Sequence, residues 1–212
     1  MSDLRIAVPR GALFGESLDL LDAVGIDTAA VRANDRKLLF AEEGLVTMRP
    51  SDVPTYVEAG AADLGITGRD VLLEQDERKV VELLDLGFGR CRMVLATVDV
   101  EPDPAAEALR RLGVLRVATK YPRIASRYLE DTGRQAEIVE VKGSVELAPL
   151  TGLVEAIVDL TATGTTLREN HLTIREEIAV ATARLIANPV AHKLKAPAID
   201  EVVERLRGRP AA

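Results

Sequence analysis

The stretch HLTIREEIAVATARLIANP (171–189) decides the fold. It is rich in β-branched and apolar residues, yet too long for an ordinary strand. A second stretch of the same kind, LGFGRCRMVLATV (86–98), lies earlier in the chain. Between them the chain alternates short apolar runs with helical patterns from about 99 to 170. The two long stretches therefore read as crossings: the chain leaves one lobe through the first and returns through the second. The linker VDVEPDPAAEAL, with Pro102 and Pro104, reads as a break just after the first crossing. The expected lobes are 1–92 with 183–212, and 93–182, with a central cleft at the hinge.

The same alternation continues outward from the crossings. LRIAVP (4–9), RKLLF (36–40), LVTMR (45–49), DLGIT (63–67), RVATK (116–120), EIVEVK (137–142) and AIVDL (156–160) read as strands. FGESLDLLDAVG closes on Gly25. SDVPTYVEAG opens on Ser51 as an N-cap and closes on Gly60, and PRIASRYLEDTG starts near Pro122 and ends at Gly133. APAIDEVVERLRG (196–208) reads as an amphipathic closing helix. The result is an α/β protein with largely parallel sheets. Its two-lobed plan resembles the type II periplasmic-binding-protein architecture.

Composition narrows the function. With 212 residues, 47% of them hydrophobic, the chain can bury one large core or two small ones. Lys and Arg number 27 against 34 Asp and Glu, a net charge of −7, so no overall attraction to nucleic acid or anionic membrane is expected. Aromatic residues make up 3% with no Trp, which argues against base-stacking platforms. Cys91, in CRMVLAT, reads as a buried strand residue, and His171 and His192 lack companions at zinc-ligand spacing. No apolar run is long enough to span a bilayer and no leader-like h-region opens the chain, so a cytoplasmic location is expected.

The chemistry gathers in VDLTATGTTLREN (158–170). An apolar strand ends at Leu160, a threonine-rich loop follows, and LREN begins a helical turn. Such a turn directs backbone N–H groups and hydroxyls at one point, which suits a phosphate dianion. Thr161, Ala162, Thr163, Gly164, Thr165 and Thr166 form the loop, and Gly164 admits close backbone approach. Asp159 would accept hydrogen bonds from sugar hydroxyls or sit near a divalent cation. The alternative is a threonine-rich turn in which Thr165 or Thr166 only caps the helix. The Walker pattern GxxxxGK[ST] is absent.

Arginines mark the strand ends of the first lobe. Arg10 follows LRIAVP, Arg36 with Lys37 heads KLLF, and Arg49 ends LVTMR. Ligands of open α/β sheets collect beyond the carboxyl ends of strands, and guanidinium groups there would grip a polyphosphate. DLGITGRDVLLE (63–74) sets Gly65, Thr67, Gly68 and Asp70 at a strand-to-helix turn, for nucleotide contact or for tight packing. KGSVELAP (142–149) sets Lys142, Gly143 and Ser144 at another strand end, with Glu146 nearby.

ELAPLTGLVEAIVDLTATGTTL (146–167) resembles the signature of the ATP phosphoribosyltransferase family, the first enzymes of histidine biosynthesis. The matching positions are Glu146, Gly152, Ile157, Asp159, Leu160, Thr163, Gly164, Thr166 and Leu167, while Val154 stands where a small residue is usual. LRIAVPRGAL, RKLLF, RPSDVPTYVEAGAADLGITGRDVL, LGFGRCRMVLAT and VATKYPRIASRYL resemble its other blocks in the same order. Arg10 replaces a usual lysine, and Asp35 a frequent serine.

The resemblance implies transfer of the phosphoribosyl group of 5-phosphoribosyl 1-pyrophosphate (PRPP) to N1 of ATP. Asp159 and residues Thr161 to Thr166 would bind PRPP, and Arg10, Arg36 and Arg49 would serve catalysis. Gly11, Gly68 and Asp70 would contact the nucleotide, and Mg2+ would be held mainly by substrate, with Asp159 as a possible ligand. The length resembles the short form of the family, which implies a hetero-oligomer with a regulatory subunit similar to histidyl-tRNA synthetase. Two other classes share features: two-lobed solute-binding proteins, and purine or pyrimidine phosphoribosyltransferases. The latter usually carry two adjacent acids, whereas Val158 precedes Asp159 here.

Overall fold

The computed structural model describes residues 4–34, 36–75 and 77–208, so Asp35 and the first and last positions of the expected outer lobe lie outside the described residues. In chain order come β1 (Ile6–Pro9), α1 (Phe14–Ala23), α2 (Ala29–Ala33), β2 (Leu39–Phe40), β3 (Leu45–Met48), α3 (Val53–Glu58), β4 (Leu64–Gly68), α4 (Arg69–Glu74) and β5 (Val81–Asp85). There follow β6 (Cys91–Val98), α5 (Pro104–Leu112), β7 (Leu115–Thr119), α6 (Pro122–Asp131), β8 (Ala136–Glu140), α7 (Leu147–Leu150), β9 (Ala156–Thr161), α8 (Thr165–Glu169) and β10 (Leu172–Ala181). The chain closes with β11 (Ala183–Ala187), α9 (Pro189–Leu194) and α10 (Ala196–Arg207).

The chain divides into two compact units. One holds the residues up to Arg90 and from Thr182 onward, the other Cys91–Ala181. The first is built on a six-stranded sheet in the order β2-β3-β1-β4-β11-β5, and the second on a five-stranded sheet in the order β10-β6-β9-β7-β8.

Both sheets are mixed, which corrects the expectation of largely parallel ones. In the first, β1 runs parallel to β3 and β4, but β11 is antiparallel to β4 and β5. In the second, β7 runs parallel to β8 and β9, and β6 is antiparallel to β9 and β10. The central strands are mostly apolar because both of their faces are covered, with Thr67, Asp159 and Arg184 as buried polar exceptions. All of β1, β4 and β11 is buried, and α10 lays Ile199, Val203 and Leu206 against the same core as Ile6, Val8 and Ile66.

Glycine 65 shows how one residue sets a helix position. A Cβ there would come within 2.6 Å of Val53 Cγ1 and 2.8 Å of Val57 Cγ2, so its absence lets α3 lie directly on β4. Of the two readings open for Gly65, tight packing is the one the structure supports. Val154, unusual for its size, is accommodated in the core of the second unit, 4% exposed beside Ala148, Ile157 and Leu167.

Several local expectations need correction. VDVEPDPAAEAL is only partly linker: Asp103 accepts from the Ala105 N–H and Pro104 starts α5, as a proline does in a first turn. Ser51 is not the N-cap of α3; Asp52 holds that place without a side-chain cap bond. The two long stretches are each interrupted, the first by the turn through Gly87 and Gly89, both with positive φ, the second at Thr182. Cys91 is half-buried rather than buried. β2 starts only at Leu39: Asn34 Oδ1 accepts from the N–H groups of Arg36 (3.2 Å) and Lys37 (3.1 Å) in a turn, while the Leu38 carbonyl still accepts from the Thr47 N–H at 2.8 Å.

Candidate active site

In the first unit the parallel register places β1 beside β3, Pro9 opposite Met48, and β1 beside β4. Arg10, Arg49 and Arg69 follow the last residues of these three strands, so the sheet presents them at one end. Gly11, with φ +81, lets the chain turn sharply off β1, and nothing lies within 4 Å of where its Cβ would be. Arg10 is held in place: Nε donates to Thr47 Oγ1 (2.9 Å), Nη2 donates to the Lys37 carbonyl (2.9 Å), and the guanidinium lies 5.4 Å from the Phe14 ring centroid. That second bond brings the Arg36-Lys37 segment to the same sheet end. Arg36 and Arg49 are exposed.

Gly68 and Asp70 are coupled. Asp70 Oδ1 sits 2.1 Å from where a Gly68 Cβ would be, so the carboxylate folds back over the glycine at the start of α4. Thr67 is buried, its hydroxyl donating to the Pro50 carbonyl at 2.9 Å.

The second unit carries the acid and the threonine loop. β9 lies between β6 and β7 in the middle of its sheet, and its first four residues are buried. Asp159, the fourth, is 7% exposed. Its Oδ1 accepts from the Leu160 N–H at 2.8 Å and forms an ion pair with Lys120 Nζ at 3.6 Å. Lys120 directly follows β7, and the parallel register sets Thr119 opposite Val158, which explains the meeting of residues 39 positions apart. Burial pushes the Asp159 carboxyl above its ordinary value; Lys120 and the Leu160 N–H oppose the rise, and nearby Glu146 adds to it.

Beyond Asp159 the loop folds onto itself. Gly164 adopts φ +74 and its N–H donates to Thr161 Oγ1 at 2.8 Å. The Thr165 N–H donates to Thr163 Oγ1 at 3.3 Å, and the Thr163 and Thr165 hydroxyls are 2.9 Å apart. These two N–H groups are therefore engaged within the loop. The groups that begin α8, Thr166 and Leu167, have no preceding turn to bond to. Thr161 is half-buried, whereas Ala162, Thr163, Thr165 and Thr166 are exposed. The loop thus presents hydroxyls and first-turn N–H groups around a fixed left-handed glycine.

Two cations at this end of the second sheet escaped the sequence reading. Lys120 lay in the quoted block VATKYP, but its partnership depends on strand pairing. Arg168 lay in LREN; its Nη1 donates to the Thr163 carbonyl and its Nη2 to Thr165 Oγ1, both at 3.0 Å, so it braces the loop from outside. Helix amphipathicity gave no hint of that contact.

Each unit thus carries its own group: a buried acid beside a hydroxyl-rich turn in the second, arginines at strand ends in the first. Comparison with known proteins specifies the family. Residues 49–208 match the family HisG: ATP phosphoribosyltransferase. An ATP phosphoribosyltransferase of Rubrobacter xylanophilus is 55% identical over 197 residues, covering 92% of this chain and 91% of the relative. Among solved structures, the ATP phosphoribosyl transferase (HisG:HisZ) complex from Thermotoga maritima matches with a TM-score of 0.79 at 36% identity, covering 96% of each chain. The periplasmic aliphatic sulphonate binding protein SsuA from Escherichia coli matches with a TM-score of 0.59 at 13% identity, covering 96% of this chain and 70% of that one. At that identity it shows the fold alone, an α/β architecture of the periplasmic-binding-protein kind. The family match over residues 49–208, with a relative 55% identical across 92% of the chain, places this chain in the ATP phosphoribosyltransferase family.

Proposed function

We propose that the protein transfers the phosphoribosyl group of PRPP to N1 of ATP, forming phosphoribosyl-ATP and releasing pyrophosphate. The observation that carries this reading is the turn after β9, where the buried Asp159 precedes a loop fixed by Gly164 and rich in hydroxyls. Asp159 takes the ribose hydroxyls and residues Thr161 to Thr166 take the 5-phosphate.

The bond from N1 to ribose C1 forms as the bond from C1 to the pyrophosphate oxygen breaks. Adenine N1 has its own lone pair and no proton near neutral pH, so the step needs no strong general base. Rate comes from positioning and from stabilising negative charge on the departing pyrophosphate. Arg10, Arg36 and Arg49 supply that stabilisation as cations, with Arg10 preorganised by its bonds to Thr47 and Lys37. Gly11, Gly68 and Asp70 contact the nucleotide.

Mg2+ is the cofactor of this reading. Among the described residues no cluster of three His, Cys, Asp or Glu side chains could hold a metal by itself. Mg2+ ordinarily binds through one or two carboxylates together with substrate phosphates and water. Asp159, with Glu146 nearby, fits that need. Held there together with substrate phosphates, Mg2+ would supply positive charge that offsets the diphosphate.

A regulatory subunit resembling histidyl-tRNA synthetase completes a hetero-oligomer, on the precedent of the Thermotoga maritima complex. A cytoplasmic location accompanies this assignment; among the described residues no helix is long and apolar enough to cross a membrane. Incubation with ATP, PRPP and Mg2+, with and without the regulatory subunit, is the test. Formation of phosphoribosyl-ATP that requires PRPP is expected in at least one arrangement. Absence of the product in both would overturn the assignment.

A further inference from the structure

We infer that Lys120 is a positioning residue for Asp159: it holds one carboxylate oxygen so that the other faces the sugar of PRPP. The inference rests on the reading of Asp159 as the acid that takes the ribose hydroxyls.

The geometry separates the two oxygens of the carboxylate. Both protein contacts, the Leu160 N–H at 2.8 Å and Lys120 Nζ at 3.6 Å, are made to Oδ1. No hydrogen bond among the described residues is made to Oδ2. A carboxylate can accept at both oxygens, so with Oδ1 engaged, Oδ2 retains its capacity for hydroxyl donors. The Leu160 N–H is a neighbour in sequence and cannot by itself fix the torsion of the side chain. Lys120 approaches from a different strand, β7, and supplies a second, independent direction.

The lysine is itself constrained. Its ammonium lies 5.5 Å from the ring centroid of Tyr121, a cation–π contact at the same strand end. The Tyr121 N–H donates to Thr119 Oγ1 at 2.9 Å, which fixes the turn that carries Lys120. At 3.6 Å the ammonium is too far for a direct hydrogen bond to the carboxylate, so its pull is chiefly a charge interaction. With Asp159 buried, that charge also offsets the cost of keeping an anion away from water.

The test is a double-mutant cycle on the full chain, read by direct PRPP titration in the presence of Mg2+ and, separately, by turnover. Lys120→Met keeps much of the side chain's length and removes the charge. It should raise the Kd and KM for PRPP about tenfold to a hundredfold, with a smaller fall in kcat and the KM for ATP within about twofold. Lys120→Arg should recover most of the loss, and it keeps the test available if Lys120→Met does not fold. In an Asp159→Asn background, Lys120→Met should change the PRPP Kd by less than about twofold, because its partner charge is already gone.

Equal loss in both backgrounds would show that Lys120 meets PRPP directly and would overturn the positioning role. An unchanged Kd in the single variant would overturn it as well. If PRPP binds in a Lys120-dependent way but no phosphoribosyl-ATP forms, the reaction assignment fails and the role of Lys120 stands.

Discussion

Replacing Thr161 by valine tests whether the loop after β9 is held ready by its own threonine. Valine keeps the shape and removes one oxygen, the acceptor of the Gly164 N–H at 2.8 Å. Gly164 is buried, so its N–H cannot turn to water without moving the loop. Leaving a buried donor unpaired costs about 1–3 kcal/mol. If the loop relaxes to avoid that cost, the same free energy must be supplied again when PRPP orders it. At about 1.4 kcal/mol per factor of ten, the KM for PRPP should rise roughly 5- to 150-fold, with the KM for ATP little changed. Thr161→Ser restores the oxygen and should stay within about threefold of the parent. Initial-rate kinetics with PRPP varied at saturating ATP provide the measurement, with circular dichroism to confirm folding. If Thr161→Val leaves the KM for PRPP unchanged, the Gly164 N–H is not held by Thr161 when substrate is bound, and the argument fails.

Three further outcomes follow from the same geometry. Arg49→Ala, at an exposed strand end, should lower kcat about a hundredfold or more, on the order of 3 kcal/mol as for other donors to developing negative charge, without altering thermal stability; wild-type turnover at saturating substrates would remove Arg49 from the leaving-group role. Arg168→Ala withdraws the bonds to the Thr163 carbonyl and Thr165 Oγ1, and should raise the KM for PRPP about tenfold, detected by the same kinetics. Glu176→Gln should weaken the second unit by about 1 kcal/mol at neutral pH, near the low end for a charged hydrogen bond because the glutamate is 37% exposed. Arg134, through bonds of 2.6 and 2.9 Å, holds the Glu176 carboxyl below its ordinary value of 4.5. A depressed carboxyl contributes stability above its unfolded value and loses it as pH falls through the folded one. The gap between parent and variant in urea titrations should therefore narrow below about pH 4.5 and be constant above it.

The strands that form each sheet's centre were legible because burial on both faces makes them predominantly apolar runs, as in IAVP, LGITG and AIVDL. β5 was not: Val81–Asp85 lies at the sheet edge, carries Glu82 and Asp85, and is only half-buried, so its sequence lacks the signal on which strand assignment depends. The helices α2 and α9 are short, and their formation owes more to packing than to propensity. The site divides along the same line. The acid and the threonine loop lie within one continuous segment, and the glycine at φ +74 is the residue type that such a backbone favours. Lys120 was read only as a member of a strand-end segment, and Arg10 was proposed for catalysis without the contacts that hold it, because what fixes both is the lateral register of strands. Thr119 lies opposite Val158 and so brings Lys120 to Asp159; Pro9 lies opposite Met48 and so brings Arg10 to the end of β3, where Thr47 and Lys37 hold it. In this architecture local sequence supplies the groups that contact phosphate, while sheet topology supplies the charges that orient and balance them. A lysine at the end of a strand parallel and adjacent to the one bearing the acid is consequently the position to inspect for such a charge, and the Lys120 cycle measures whether that charge acts through Asp159.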